Sequence, residues 1–174
     1  MAFYHTNDLE KAEADFNEAI RLDPKDPTIY FNRGNVFLNM NPPKFEEAHE
    51  DYEKALDIAP HNAKLWHSKG LAYQAEAERI KSDRELMYEL DREDERHPDN
   101  LNEKAIESYV NALRLQENFV SSRFHLGLMY HRTNQPTEAL KCFSKVLVKI
   151  KDDSTVYVAR GIVYYDMGNH AMAI

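Results

Sequence analysis

Eight histidines and one cysteine are the residues of this 174-residue chain best suited to chemistry. Histidine binds metals and carries protons near neutral pH, and a cysteine thiolate is a nucleophile. A helical zinc site needs two histidines at i and i+4 with a carboxylate close by, because that spacing sets both rings on one face. No such pair occurs, and His125 and His131, six apart, face different sides of any helix that carries both. His67, His125 and His131 meet only if separate elements bring them together, and ordinary polar packing is the plainer reading. Cys142 stands near Lys141 and Lys145, whose charges would lower its pKa. A lone cysteine on a packed helix is nonetheless first of all a small apolar filler. Glycine-rich phosphate loops are absent. No catalytic constellation emerges, so neither a cofactor nor a metal is expected and the chain does not read as an enzyme.

Composition narrows the class further. Charged residues make up 30% and hydrophobic residues 43% of the chain, the balance of a soluble folded protein. A net charge of −8 argues against nucleic acid as a partner, since phosphate backbones need a basic stripe. No apolar run approaches the ~18 residues that cross a membrane. The N-terminal segment has neither a basic region nor an apolar core, so it does not read as a signal peptide. A single cysteine excludes an internal disulfide and suits a reducing compartment. The expected setting is cytoplasmic.

The elements that must position these side chains are legible from spacing. Gly34, Gly70, Gly127 and Gly161 are separated by 36, 57 and 34 residues. Ala12, Ala48, Ala105, Ala139 and Ala173 repeat the same intervals, 36, 57 and 34, and add another 34. Two series with one set of intervals mean a single unit of about 34 residues, the period of a helix–turn–helix solenoid. Aromatics keep the register: Phe37, Tyr73, Tyr130 and Tyr164 follow each glycine by three residues. Phe16, Tyr52, Tyr109 and Phe143 follow the first four alanines by four, and Ala19, Ala55, Ala112 and Val146 come three later. All three of these series lie on one helical face. Pro24 and Pro60 close the first two such helices. Glu117 and Lys151 stand where the next two prolines would, which predicts looser turns there.

The stretches 30–34, 66–70 and 48–55, with their Gly, Ala and aromatic positions, resemble the tetratricopeptide repeat family over nearly the whole chain. The resemblance implies an all-α, right-handed superhelical α-solenoid of helix–turn–helix repeats, acting as a non-catalytic protein–protein interaction scaffold. It divides the chain into one array: a partial repeat over 1–26 (a second helix, preceded by the tail of a first), a repeat over 27–60 with a two-residue insertion near Pro42 and Pro43, a repeat over 61–117 with an acidic helical insertion at about 77–99, a repeat over 118–153, and a partial repeat over 154–174. Glycine on one helix and alanine on the next let the backbones close to roughly 8–10 Å while aromatics fill the wider gaps. Both ends read as truncated, with Ile162, Val163 and Tyr164 lacking cover, so self-association through the ends is expected.

The 57-residue interval sets the third unit apart. Residues 76–99 contain ten acidic and five basic residues, a net of −5 out of −8, and no glycine. A helix continued for twenty residues would rise about 30 Å, and the return through residues 97–100 spans at most about 14 Å. A break is therefore required. Ser82 to Glu85 reads as a capping box, starting a short helix over about 83–95 with Leu86, Met87 and Leu90 on its apolar strip. Asn100 to Glu103 then reads as the cap of the next regular helix. These three apolar residues are candidates for a docking knob or flap; a solvated loop and a packed, functionless excursion are the alternatives.

In the family the resemblance names, the first helix of each unit lines a concave groove. Projected onto that face, this chain presents Phe31, Asn35 and Leu38, then His67, Leu71 and Gln74, then Phe124, Leu128 and His131, and finally Val158, Ile162 and Tyr165. The mix suits an amphipathic helix or an extended apolar peptide, with self-packing as the competing use. Members that grip acidic tails carry lysines, arginines and asparagines in the groove. Here Phe31, Asn35, Ser68, Ser121 and His125 stand there instead. The asparagine ladder of sugar-transferase members is replaced by Asn32, Ser68, His125 and Ala159. A regulatory module of a larger enzyme, or a structural element of a large assembly such as a ciliary or trafficking complex, are the alternative roles.

Overall fold

A computed structural model describes residues 3–168, and every regular element among them is an α-helix. In chain order these are α1 (Phe3–Leu22), α2 (Pro27–Asn39), α3 (Phe45–Ile58), α4 (Ala63–Ser82), α5 (Arg84–Glu89), α6 (Pro98–Leu115), α7 (Val120–Arg132), α8 (Pro136–Lys149) and α9 (Ser154–Asp166). Three hairpins form, α2 with α3, α4 with α6 across the short α5, and α7 with α8, and α1 and α9 flank them. The fold is an all-α solenoid whose core is spread along a line of clusters rather than gathered in one centre.

The repeated residues build the contacts that their spacing predicts. Ala48, Ala105 and Ala139 are wholly buried, as are Tyr52, Tyr109 and Phe143 one turn later. Each of these rings lies on the glycine of its hairpin partner: Tyr52 on Gly34, Tyr109 on Gly70 and Phe143 on Gly127. Turn chemistry starts the first helices. Asp26, Asn62 and Asp153 accept from the backbone N–H two residues ahead at 2.8, 3.0 and 2.9 Å, each N-cap worth about 1 kcal/mol.

A second lock crosses three of the turns at a position the periodicity did not single out. Tyr30 Oη donates to the carbonyl of Pro24 at 3.2 Å, and Trp66 Nε1 donates to that of Pro60 at 3.0 Å. Arg123 Nη2 does the same to Glu117 at 2.7 Å. The expectation of a loose turn at Glu117 is thereby corrected. At Glu117, where proline is lost, a guanidinium replaces the aromatic donor and ties the same carbonyl.

The third unit also departs from expectation. About half of its surplus goes into longer helices, since α4 runs on to Ser82 and α6 begins already at Pro98. Ser82 does not cap, because its Oγ donates back to the carbonyl of Arg79 at 2.7 Å. Asp83 takes that role toward Leu86 N. α5 ends at Glu89, not 95. Asp91 Oδ1 accepts from Glu93 N and Asp94 N, both at 2.9 Å, and Asp94 Oδ1 from Arg96 N at 2.8 Å. Short carboxylates that satisfy local N–H groups compete with the helix and end it. His97 and Pro98 start α6. Asn100 instead donates to the carbonyls of Arg92 and Asp94, at 3.0 and 2.7 Å, and closes the loop from within. Leu90 is buried, and Leu86 and Met87 pack half-buried on the Tyr73, Ala77, Ile80 and Leu101 cluster. The three side chains anchor the excursion on this cluster.

Two expectations about the ends are corrected as well. α1 is one continuous helix, so no turn separates the tail of an earlier helix within residues 3–22. Val163 is fully buried against α8, while Ile162 stays exposed and Tyr164 half-buried. Ala173 and Ile174 lie outside the described residues.

Candidate partner-binding groove

The first helices of the hairpins, α2, α4, α7 and α9, carry the twelve groove positions read from the sequence. Nine of them are half-buried: Phe31, Asn35, Leu38, His67, Leu71, Gln74, Phe124, Leu128 and His131. Several share in the core. Phe31 meets the Tyr52 ring at a centroid distance of 6.2 Å, and Phe124 meets Phe143 at 5.8 Å. Leu71 and Leu128 pack on the clusters beneath them. Val158, Ile162 and Tyr165 on α9 differ, being 61%, 48% and 60% exposed. They stand at i, i+4 and i+7 and so form one apolar stripe.

The groove's polar floor is built from the hairpin's second helix reaching under the glycine. Tyr52 Oη donates to Asn35 Oδ1 at 2.8 Å, and Tyr109 Oη donates to Gln74 Oε1 at 3.0 Å. His125 Nδ1 lies 3.2 Å from the same Gln74 oxygen. Gln74 Nε2 donates to Glu78 Oε1 at 3.2 Å, and Arg132 Nη2 donates to that oxygen at 2.7 Å. In the next hairpin Phe143 replaces tyrosine, has no hydroxyl to offer, and the groove turns apolar.

Two of the three histidines meet. His67 and His125 rings stand edge to face at 5.7 Å, with Tyr109 stacked on His125 and Phe119 tilted against His67. Ser122 Oγ lies 2.9 Å from His67 Nδ1. His131 is not part of this cluster, since its Nε2 lies 2.8 Å from Asp166 Oδ2. No group of three or more histidine, cysteine, aspartate or glutamate side chains among the described residues is placed to hold a metal. Burial, and secondarily the neighbouring His125, pushes the His67 imidazole down to about 4. Burial also lowers His125, against the pull of Glu78. Burial acts to raise the Glu78 carboxyl, but the hydrogen bonds from Arg132 and Gln74 outweigh it and hold it below the usual range. At neutral pH both imidazoles are uncharged and the one carboxylate beside them is compensated by Arg132.

A pH dependence of stability follows. The folded pKa of His67 lies below the unfolded value of about 6.5, so the unfolded chain binds the extra proton. Stability is full above that value and falls as the pH drops through it toward about 4. The melting temperature of the wild type is expected to fall between pH 6.5 and 5, and His67→Gln is expected to flatten that fall. Equal slopes for the two proteins would refute the assignment.

Cys142 is buried on α8, and burial pushes its thiol up to about 11. The lysines expected to activate it lose to desolvation, although Arg123 and Lys145 pull the other way. It is packing, not a nucleophile. Two buried pairs have no counterpart in the sequence pattern, Arg33 with Asp51 and His49 with Glu76. Neither recurs in the other units, so no periodic signal marks them.

Comparison with known proteins agrees with this architecture. A profile of the TPR repeat matches residues 2–41, and a tetratricopeptide repeat profile matches residues 27–62 and 120–147. Together they cover just over half of the chain, which belongs to the tetratricopeptide repeat family. A crystal structure of MamA superposes with a TM-score of 0.73 over 98% of this chain and 85% of that one, at 16% identity. YrrB, described as a TPR protein with an unusual peptide-binding site, gives a TM-score of 0.70 over 98% of this chain and 75% of its own, at 23% identity. At those identities the likeness is one of fold. A stretch of 65 residues, 37% of this chain, is 37% identical to Protein O-mannosyl-transferase TMTC3 of Mus musculus and 35% identical to that of Homo sapiens. The match spans 7% of the length of either relative. None of the described helices is long and apolar enough to cross a membrane.

Proposed function

We propose that this array is a non-catalytic protein–protein interaction scaffold that takes a largely apolar helix or extended peptide along the face of α2, α4, α7 and α9. The observation that carries the reading is the exposed stripe of Val158, Ile162 and Tyr165 on α9, in line with half-buried Phe124 and Leu128 on α7. Apolar side chains at i, i+4 and i+7 offer anchors to the apolar face of a helix. Electrostatics selects the ligand's character. The neutral imidazoles of His67 and His125 and the Glu78–Arg132 pair add little net charge to the groove. An acidic tail has no cationic clamp to grip there.

A pull-down with Val158→Glu plus Ile162→Glu tests this directly. Both side chains are exposed, so the fold is kept while two charges enter the stripe. Loss of the wild-type partners, tenfold or more by quantitative recovery, is expected. Undiminished recovery of every partner would place the site elsewhere. The 65-residue likeness to TMTC3 favours a second reading, in which the array serves as the interaction part of a larger enzyme. Catalytic activity in the natural full-length protein that is altered by the same two substitutions would support it.

A further inference from the structure

Among the described residues, three cations that make no ion pair gather in one place. Arg123 on α7 and Lys145 and Lys149 on α8 line a cavity of about 290 Å³ where the α6–α7 turn meets the end of α8. None of the three lies within ion-pair distance of a carboxylate among the described residues. Arg33, Lys44, Lys69, Lys104 and Arg132 all do. Arg123 gives Nη2 to the carbonyl of Glu117, which fixes the guanidinium at the cavity wall. Glu117 is the single acidic residue in the lining, so three positive charges face one negative. Val120, Val146 and Val148 supply an apolar side, and Val148 is 74% exposed. The cavity is separate from the groove-facing Phe124, Leu128 and His131 of α7.

We propose that this cleft is a second docking surface, which takes an acidic protein segment with an aliphatic side chain beside its carboxylates. Charge complementarity argues for that occupant. Guanidinium and ammonium groups held on one rim attract paired carboxylates, and an exposed valine between them gives the neighbouring aliphatic group a surface to cover. The site does not depend on the groove reading and uses none of its residues.

The test is fluorescence anisotropy with a labelled peptide of glutamate and leucine, alongside the same peptide with glutamine in place of glutamate. Lys145→Glu plus Lys149→Glu, both at exposed positions, is expected to weaken the acidic peptide at least tenfold. The charge-matched control Lys25→Glu plus Lys81→Glu, and the groove variant Val158→Glu plus Ile162→Glu, should bind as the wild type does. The glutamine peptide should not bind. Equal affinity for the Lys145/Lys149 variant and the wild type would overturn the proposal. So would displacement of the peptide by inorganic tripolyphosphate as effective as by unlabelled peptide, which would reduce the cleft to a general anion site. Loss of binding in the Val158/Ile162 variant would return the acidic peptide to the groove and also contradict it.

Discussion

Asp51→Ala is expected to destabilise the array by about 3–5 kcal/mol, the range for removing one partner of a buried ion pair. The Asp51 side chain is 1% exposed and receives Arg33 through two hydrogen bonds, Nε to Oδ2 at 2.7 Å and Nη2 to Oδ1 at 2.6 Å. Arg33 Nη1 continues to Asn17 Oδ1 at 2.6 Å, so one guanidinium ties α1, α2 and α3 together. Without the carboxylate, a cation with 17% of its side chain exposed cannot recover full hydration. Urea unfolding followed by circular dichroism measures the loss. Replacing both partners at once, Arg33→Leu with Asp51→Leu, should cost much less, because no charge is then left unpaired. A single-variant loss below about 1 kcal/mol, the scale of an exposed pair, would show that the pair is in effect solvated.

Gly70→Leu is the second large effect, with a loss of about 3 kcal/mol or more, at or beyond the usual range for overpacking. Even a Cβ at this position would stand 2.7, 2.9 and 3.0 Å from three atoms of the Tyr109 ring. That ring cannot yield. It is wholly buried and its hydroxyl is held by Gln74. Gly34 is milder, with Tyr52 atoms at 3.2 and 3.3 Å, and alanine gains about 1 kcal/mol of helix propensity over glycine. Gly34→Ala should therefore lie near neutral in the same urea experiment. Equal stabilities for Gly70→Leu and Gly34→Ala would mean that the close approach of the helices does not depend on the glycine.

The contrast between these two predictions shows what could be read from the chain before its structure. The glycine contact was legible because it recurs: Gly34, Gly70 and Gly127 each receive a ring from the residue four after the unit's alanine. The Arg33–Asp51 pair was not. The residues in the corresponding places are Lys69 with Ser108 and Leu126 with Cys142, so nothing repeats. The turn lock was hidden for a related reason. Tyr30, Trp66 and Arg123 share a role but not a residue type. In the excursion the helix-favouring composition was read correctly in general and wrongly in detail. Propensity favoured a helix to residue 95, whereas Asp91, Asp94 and Asn100 closed a loop through hydrogen bonds that no propensity scale counts. At the groove, the sequence placed twelve residues on the first helices. It did not tell which of them the neighbouring rings would cover and which, as on α9, would remain in solvent.

Photo-crosslinking in the cells that express the protein tests the central claim, that the face of the first helices receives a partner, most directly. A photoreactive residue is placed at Ile162, on the exposed stripe of α9, and in a separate protein at Lys54, on the exposed side of α3. A discrete crosslinked partner from Ile162 and none from Lys54 is expected. A partner captured from Lys54 and not from Ile162 would contradict the claim.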